Sequence, residues 1–327
     1  MPQLRQNPIT RDWVVIAPER AKRPSEFVQP TPSVHRQHDH CAFCPGGAAY
    51  VERLPQFETD HVYVAPNKYP AFVETESALS DRGHGHEPFY HTRPALGGHD
   101  IIVVKDDRTN LLTFSPIIWT EILTMMKRRM EYFRDELHMA ASMPIYNYKP
   151  AAGASIEHPH AQLFSSSIVP NRLDREVHHA FDSFERHTVC VFCQLIQQEQ
   201  KANQRIVAET DDFIAFTAFA ARFPFETWVL PKHHSDHFEN EPAETLKKLG
   251  AFLTPLMDRF NATLHDPAMN LFLHTFPNSL GEAEFFHWHV EIAPRLSNYG
   301  GFEMGGDMVI DVVSPEHAAE FLRDERS

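Results

Sequence analysis

The sequence predicts an α+β chain of two tandem repeats, each pairing short antiparallel strands with one long amphipathic helix. Two observations carry this. All four cysteines fall in two Cys-x-x-Cys pairs, Cys41/Cys44 and Cys190/Cys193, and each pair is followed by the same order of elements. After the first pair come a strand-like stretch at 62–65, Asn67-Lys68-Tyr69-Pro70, a polar insertion and a second strand-like stretch at 100–107. A helix follows, with Ser115 as N-cap, Pro116 in its first turn, and Ile118, Ile122, Met125, Met126, Phe133 and Leu137 near helical spacing. The half ends in Glu157-His158-Pro159-His160-Ala161-Gln162.

The second half repeats the order. Strand-like stretches at 213–216 and 227–230 run into Pro231-Lys232-His233-His234. Asn240 and Pro242 open a helix bearing Leu246, Leu249, Leu253, Leu256 and Phe260, and Phe286-His287-Trp288-His289-Val290-Glu291 closes the half. One long helix per half is too few for a doubly wound parallel sheet, so antiparallel sheets are expected. The repeats divide the chain at 1–178 and 179–327, with the charged, His-rich segment 171–188 as the connection.

The chain has 327 residues, 44 acidic against 30 basic, for a formal net charge of -14. That charge opposes non-specific binding to a nucleic-acid backbone, although a few local cations such as Arg20-Ala21-Lys22-Arg23 can hold a small anion. No apolar run approaches the ~20 residues of a membrane span, and Met1-Pro2-Gln3-Leu4-Arg5 lacks a signal-peptide core. A soluble, cytoplasmic enzyme without membrane or nucleic-acid partners is expected.

Paired cysteines among 22 histidines suggest zinc rather than a secreted disulfide framework. A redox role is the weaker alternative, because neither pair sits in an evident strand-to-helix turn. The second half offers Cys190, Cys193, His234 and His287, with His233 as an alternative to His234. In the first half the repeat places Asp107 where His234 stands, giving Cys41, Cys44, Asp107 and His158. Alternatively Asp107 caps a turn and His35, His38 or His40 completes the set.

In a strand, His158, His160 and Gln162 share one face. The small-residue run 151–155, Ala-Ala-Gly-Ala-Ser, would let backbone N–H groups approach a phosphate. A neutral imidazole can attack phosphorus and later leave, and donors such as Gln162 and Ser155 suit the charge on the phosphoryl oxygens. The bland alternative makes both histidines zinc ligands or core residues. In the second half Glu291 replaces the glutamine and would repel a phosphoryl group, so His289 is expected to be structural or substrate-adjacent.

These motifs resemble the galactose-1-phosphate uridylyltransferase family, a duplicated branch of the histidine-triad superfamily. The likeness runs nearly end to end. It takes in Asn7-Pro8-Ile9-Thr10-Arg11-Asp12-Trp13-Val14, the Arg20–Pro24 cluster, Asn67-Lys68-Tyr69, Asn147 and Gly153-Ala154-Ser155. It continues through His158-Pro159-His160-Ala161-Gln162, Phe223-Pro224-Phe225-Glu226 and Gly301-Phe302-Glu303. The resemblance implies tandem histidine-triad-like repeats in an antiparallel half-barrel with helices outside, and a homodimer with structural zinc. It also implies ping-pong transfer through uridylyl-His160, from a nucleoside-diphosphate sugar (UDP-glucose) to a hexose 1-phosphate (galactose 1-phosphate). Gln162, Asn147, Gly153 and Ser155 match phosphate-contacting positions, and Arg20 and Arg23 match positions near the nucleotide or sugar phosphate. Asn67 matches the nucleoside segment and Glu303 a sugar-hydroxyl contact. The ending Gly301-Phe302-Glu303-Met304-Gly305-Gly306 is also similar to the ADP-glucose phosphorylase branch, which implies adenylyl-His160 and phosphate as acceptor. A histidine-triad hydrolase, disfavoured by Gln162, and a non-catalytic zinc-stapled scaffold are the remaining alternatives.

Overall fold

The structure, a computed structural model, describes residues 1–20, 41–74 and 89–324. In the first half the elements are β1 (Gln3–Gln6), β2 (Trp13–Ile16), the short helix α1 (Ala48–Val51), β3 (Val62–Pro66), β4 (Gly97–Val104), α2 (Pro116–Asp135), β5 (Ala141–Tyr148) and β6 (His160–Ser166). Next are α3 (Asn171–His187), α4 (Val191–Ala202), β7 (Ile206–Glu209), β8 (Phe213–Thr217), β9 (Thr227–Pro231), α5 (Ala243–Leu264), β10 (Met269–His274) and β11 (His289–Pro294). The chain then forms α6 (Gly301–Gly306), β12 (Val309–Asp311) and α7 (Pro315–Arg323).

Nine strands form one sheet in the order β3-β4-β6-β5-β10-β11-β9-β8-β7. About the central β5–β10 pair the two halves mirror each other: β3 corresponds to β8, β4 to β9, β6 to β11, and α2 to α5. All neighbours in this sheet are antiparallel, and the halves join where Asn147 faces Asn270 and Tyr148 faces Met269. The duplication read from the sequence is therefore a symmetry of one continuous sheet. A separate three-stranded sheet, β1-β2-β12, holds the N-terminal hairpin.

Helix α2 begins as expected: Ser115 Oγ accepts from the Ile118 N–H at 3.3 Å, with Pro116 as the first residue. It packs against α5 so closely that a Cβ at Gly250 would lie 2.9 Å from the Pro116 carbonyl oxygen. Both helices cover one sheet face, where Val64, Ile102, Leu163, Val229, Leu271 and Ile292 are completely or almost completely buried. Each such side chain contributes about 1.5–3 kcal/mol relative to exposure.

The opposite face is treated differently in the two halves, and this positions the site. In the second half, α3 and α4 lay Leu173, Val177, Phe192 and Ile196 against Ile214, Phe216, Trp228 and Leu230. In the first half, among the described residues, a small cluster covers the sheet, with Phe43 and Ala49 over Tyr63, Ala65, Ile101 and Val103. The segment 171–188, expected as a connection, is thus a regular helix that crosses the 178/179 division, and α3, α4 and α7 add to the one helix expected per half. Among the described residues no helix is long and apolar enough to cross a membrane.

Candidate active site and metal-binding clusters

A cleft of about 190 Å³ opens on this thinly covered face, lined by His160 and Gln162 together with Phe43, Asn67, Tyr69 and Ser155. Its floor follows from register: on β4 and β6, Ile101 lies opposite Gln162 and Val103 opposite His160, so these four point the same way. The His160 Nδ1–H donates to the His158 carbonyl at 2.8 Å, leaving Nε2 as the ring nitrogen with a lone pair. Burial lowers the His160 pKa below its usual value and outweighs the opposing hydrogen bond to the His158 carbonyl, so the ring is neutral at physiological pH. The Phe43 ring meets it edge-on at 4.9 Å and fixes its plane.

The loop before β6 corrects one expectation. The N–H groups of Ala152, Gly153 and Ala154 bond back to the carbonyls of Lys149 and Pro150, so they do not form a phosphate cradle. What the loop brings to the cleft is Ser155, next to Ile156. Lys149 has a positive φ of 71°, and its ammonium is tied to the Asp266 carbonyl at 2.6 Å and carboxylate at 2.5 Å. Gly153 closes the turn at φ +89°. A Cβ there has room, its nearest neighbour being Asn147 Nδ2 at 3.9 Å. Gly153→Ala is therefore expected to cost about 1–2 kcal/mol through backbone conformation alone, read from urea unfolding. An unchanged unfolding free energy would contradict the left-handed turn.

Asn147 lies beside this loop rather than in the cleft lining. Asn270 Nδ2 donates to its Oδ1 at 2.7 Å and to the Ala152 carbonyl at 2.8 Å, which turns the Asn147 NH2 group towards Gly153. Sequence reasoning passed over Asn270, whose only signal is an asparagine in a strand that is otherwise apolar up to its final His274. Arg20 ends a short 3-10 turn, and Glu303 in α6 accepts from the Gly300 N–H at 2.9 Å. Neither lines the cleft. Arg23, His35, His38 and His40 lie outside the described residues.

Two clusters have the donors of a metal site. Ligand-type atoms of Cys190, Cys193, His234 and His287 lie within 4.8 Å of one another. Cys193 Sγ is 3.4 Å from His234 Nδ1 and 3.7 Å from His287 Nδ1. The opposite ring nitrogens donate to the carbonyls of Ala283 and Pro231 at 3.3 and 2.9 Å, which fixes the tautomer with both Nδ1 lone pairs inward. His233 instead pairs with Glu241 at 3.1 Å, so the choice between the two histidines falls to His234. Hydrogen bonding from Cys190 pulls the Cys193 thiol down to about 3, against the opposing effect of burial. The pair does open a helix, since Cys190 is the N-cap of α4, but it follows α3 rather than a strand.

Cys41, Cys44 and His158 form the corresponding group in the first half. His158 Nδ1 is 3.4 and 3.5 Å from the two sulfurs, and its Nε2–H donates to the Val104 carbonyl at 2.7 Å. Val104 ends β4 as Pro231 ends β9, so the repeat holds to the level of single hydrogen bonds. Asp107, three residues beyond Val104 as His234 is beyond Pro231, puts Oδ2 3.9 Å from Cys44 Sγ, at the margin of the cluster. Burial raises the Cys44 thiol to about 11, the opposite direction from Cys193.

In the second half the place matching His160 is filled. His289 is wholly buried, stacked on Trp228 with ring centroids 5.1 Å apart, and lies within 4.8 Å of Glu176, His274 and Glu291. These groups have metal-type donors, yet each carboxylate already faces a cation. Arg172 is 3.2 Å from Glu176 and 3.1 Å from Glu291, and Arg222 is 2.5 Å from Glu291. Burial raises the pKa of Glu291, but the two guanidiniums outweigh it and keep the group ionised. The same burial takes His289 down to about 4. His289 thus sits in a buried, ion-paired cluster rather than in an open cleft. Sequence reasoning missed Glu176, on α3, and His274, at the end of β10; the i, i+4 spacing of Arg172 and Glu176 was the available signal for the first.

The chain is similar to known proteins along nearly its whole length. Residues 1–170 match the family described as galactose-1-phosphate uridyl transferase, N-terminal domain, and residues 176–324 match its C-terminal domain. An ADP-glucose phosphorylase of Arabidopsis thaliana is 30% identical, with 99% of this chain and 93% of the relative covered. A galactose-1-phosphate uridylyltransferase of Thermotoga maritima is 28% identical, with 99% and 98% covered. The crystal structure of an Arabidopsis thaliana ADP-glucose phosphorylase with bound ADP-glucose superposes with a TM-score of 0.82 at 29% identity, covering 99% of both chains. With both halves matched and His160 placed in an open cleft, the chain belongs to the galactose-1-phosphate uridyl transferase family and is a nucleotidyltransferase.

Proposed function

We propose that this chain transfers the uridylyl group of UDP-glucose to galactose 1-phosphate in two displacements through uridylyl-His160. The observation that carries the proposal is the tautomer of His160. With Nδ1–H held by the His158 carbonyl, Nε2 is the nucleophile, and the same bond stabilises the ring as it gains positive character. Nε2 attacks the α-phosphorus, the bond from that phosphorus to the bridging oxygen breaks, and glucose 1-phosphate leaves. A phosphate oxygen of galactose 1-phosphate then attacks phosphorus, the P–N bond breaks, and its electron pair returns to Nε2 as UDP-galactose forms. Gln162 and Ser155 donate to the phosphoryl oxygens, where charge is spread during both steps.

In the same proposal Asn67 meets the nucleoside, Asn147 and Gly153 border the phosphates, Arg20 and Arg23 approach the nucleotide or sugar phosphate, and Glu303 meets sugar hydroxyls. Zinc is the metal of the cysteine clusters, a choice supported by the thiolate and imidazole donors. When bound it supplies rigidity, tying α4 to the loops after β9 and before β11 in the second half and the Cys41/Cys44 turn to the start of β6 in the first. We further propose two repeat domains, 1–178 and 179–327, a homodimer, and a cytoplasmic location.

A second reading has one observation in its favour, the likeness to an ADP-glucose phosphorylase at 30% identity. It replaces uridylyl by adenylyl and galactose 1-phosphate by phosphate, with the same chemistry at His160. Isotope exchange separates the two. Labelled glucose 1-phosphate should enter UDP-glucose without an acceptor, because the first displacement is complete in itself. Exchange into ADP-glucose alone would overturn the uridylyl proposal in favour of the adenylyl one, and exchange into neither would overturn both.

A further inference from the structure

Gln162 can serve a phosphoryl group only one way round. Its NH2 end donates to anionic oxygens and its carbonyl end repels them, and the two ends are interchanged by a rotation that costs little in an open cleft. Something must choose between them, and the neighbour placed to do so is His99, which sequence reasoning did not single out.

On β4, His99 lies opposite Phe164 and Ile101 opposite Gln162, so His99 and Gln162 are diagonal neighbours on one sheet face. The His99 ring is stacked on Phe164, centroids 4.0 Å apart and planes 28° from parallel, which sets its orientation. The Ala71 backbone N–H donates to its Nδ1 at 3.2 Å, and a backbone donor cannot be reversed. Nδ1 is therefore the bare nitrogen. Burial keeps the ring neutral, so its single proton is on Nε2. Nε2 lies 3.0 Å from Gln162 Oε1, which it meets as donor to acceptor.

Asn67 Nδ2 also approaches His99 Nε2, at 3.1 Å, and its oxygen is engaged by the Tyr69 N–H at 2.9 Å. The Nε2–H tautomer thus makes two good bonds and one donor–donor contact. The other tautomer would satisfy Asn67 but set Nδ1–H against the Ala71 N–H and a lone pair against the Gln162 oxygen. Two good contacts outweigh one.

We propose that His99 is a positioning residue: its Nε2–H holds the Gln162 carbonyl and so turns the Gln162 NH2 group towards the phosphoryl oxygens of the nucleotide carried by His160. This rests on His160 being the nucleotidyl carrier. His99 does not touch the reacting atoms; it removes the unproductive orientation of a residue that does.

His99→Phe keeps the ring stack on Phe164 and removes the donor, whereas His99→Gln restores an N–H close to the position of Nε2. The readout is the single-turnover rate at which UDP-glucose or ADP-glucose, whichever labels the wild type, labels the His160 peptide. His99→Phe is expected to slow labelling about tenfold, the equivalent of ~1.4 kcal/mol, with KM changed far less. His99→Gln should recover most of the loss. In a Gln162→Ala background His99→Phe should change nothing further, since the two residues act as one unit. A wild-type rate in His99→Phe, or an equal loss with and without Gln162, would overturn the proposal. A wild-type chain that never acquires label sinks the nucleotidyl-carrier reading and this one with it. Should His99→Phe fail to fold, 15N spectra of the wild-type ring decide the point: a protonated Nε2 with a bare Nδ1 supports it and the reverse tautomer overturns it.

Discussion

His160→Ala is expected to lower nucleotidyl transfer by on the order of 10⁴-fold or more, while the melting temperature moves by no more than a few degrees. The loss is large because two displacements share one nucleophile. Without it the acceptor would have to attack the nucleotide sugar directly. The small thermal effect follows from location. His160 stands over the thinly covered face, against Phe43 and the cleft, and not in the layer between the sheet and α2 and α5. Among the described residues its side-chain hydrogen bond is to the His158 carbonyl, just before its own strand. Initial rates with thermal unfolding of the same preparation check both halves of the prediction. A variant of full activity would remove the covalent route, and a variant that is merely unfolded would leave the activity loss explained by stability.

His287→Ala should do the reverse, losing metal and fold together. Its Nδ1 faces Cys193 and its Nε2–H is bonded to the Pro231 carbonyl, so the substitution removes a ligand and the contact that ties the loop before β11 to the end of β9. Binding free energy at a structural metal site is folding free energy, and loss of a ligand is expected to cost several kcal/mol. About one metal equivalent per chain should disappear from elemental analysis, with a clear fall in melting temperature. Chelator treatment of the wild type should reproduce the thermal shift. Unaltered metal content in the variant would discredit the second-half cluster.

The comparison between these histidines shows what could be read from sequence. A repeat that carries its own landmarks is legible: the cysteine pairs, the two capped helices and the His-x-His ends mark equivalent positions, and the sheet is symmetric about them. Ser115 and Pro116 start α2 as local capping rules require. Residues whose roles depend on the neighbouring strand were not legible. His99 reaches Gln162 only through the β4–β6 register, and Asn270 reaches Asn147 only because the halves join at β5–β10. Helix α3 was read as a connection because its charges outnumber its apolar residues; only the fold shows that Arg172 and Glu176 are turned inward, where they fill the second half's counterpart of the cleft. The small-residue loop suggested N–H groups open to a phosphate, but those groups serve the turn itself.

The covalent intermediate is the most direct point of contact with experiment. The protein, mixed with UDP-glucose in the absence of any acceptor, is quenched in alkali, where a phosphoramidate survives, and digested for mass spectrometry. A uridylyl adduct on His160, bonded through Nε2 and discharged by added galactose 1-phosphate, is expected. An adduct on any other residue, or a His160 ring bound to metal instead of nucleotide, would contradict the central claim.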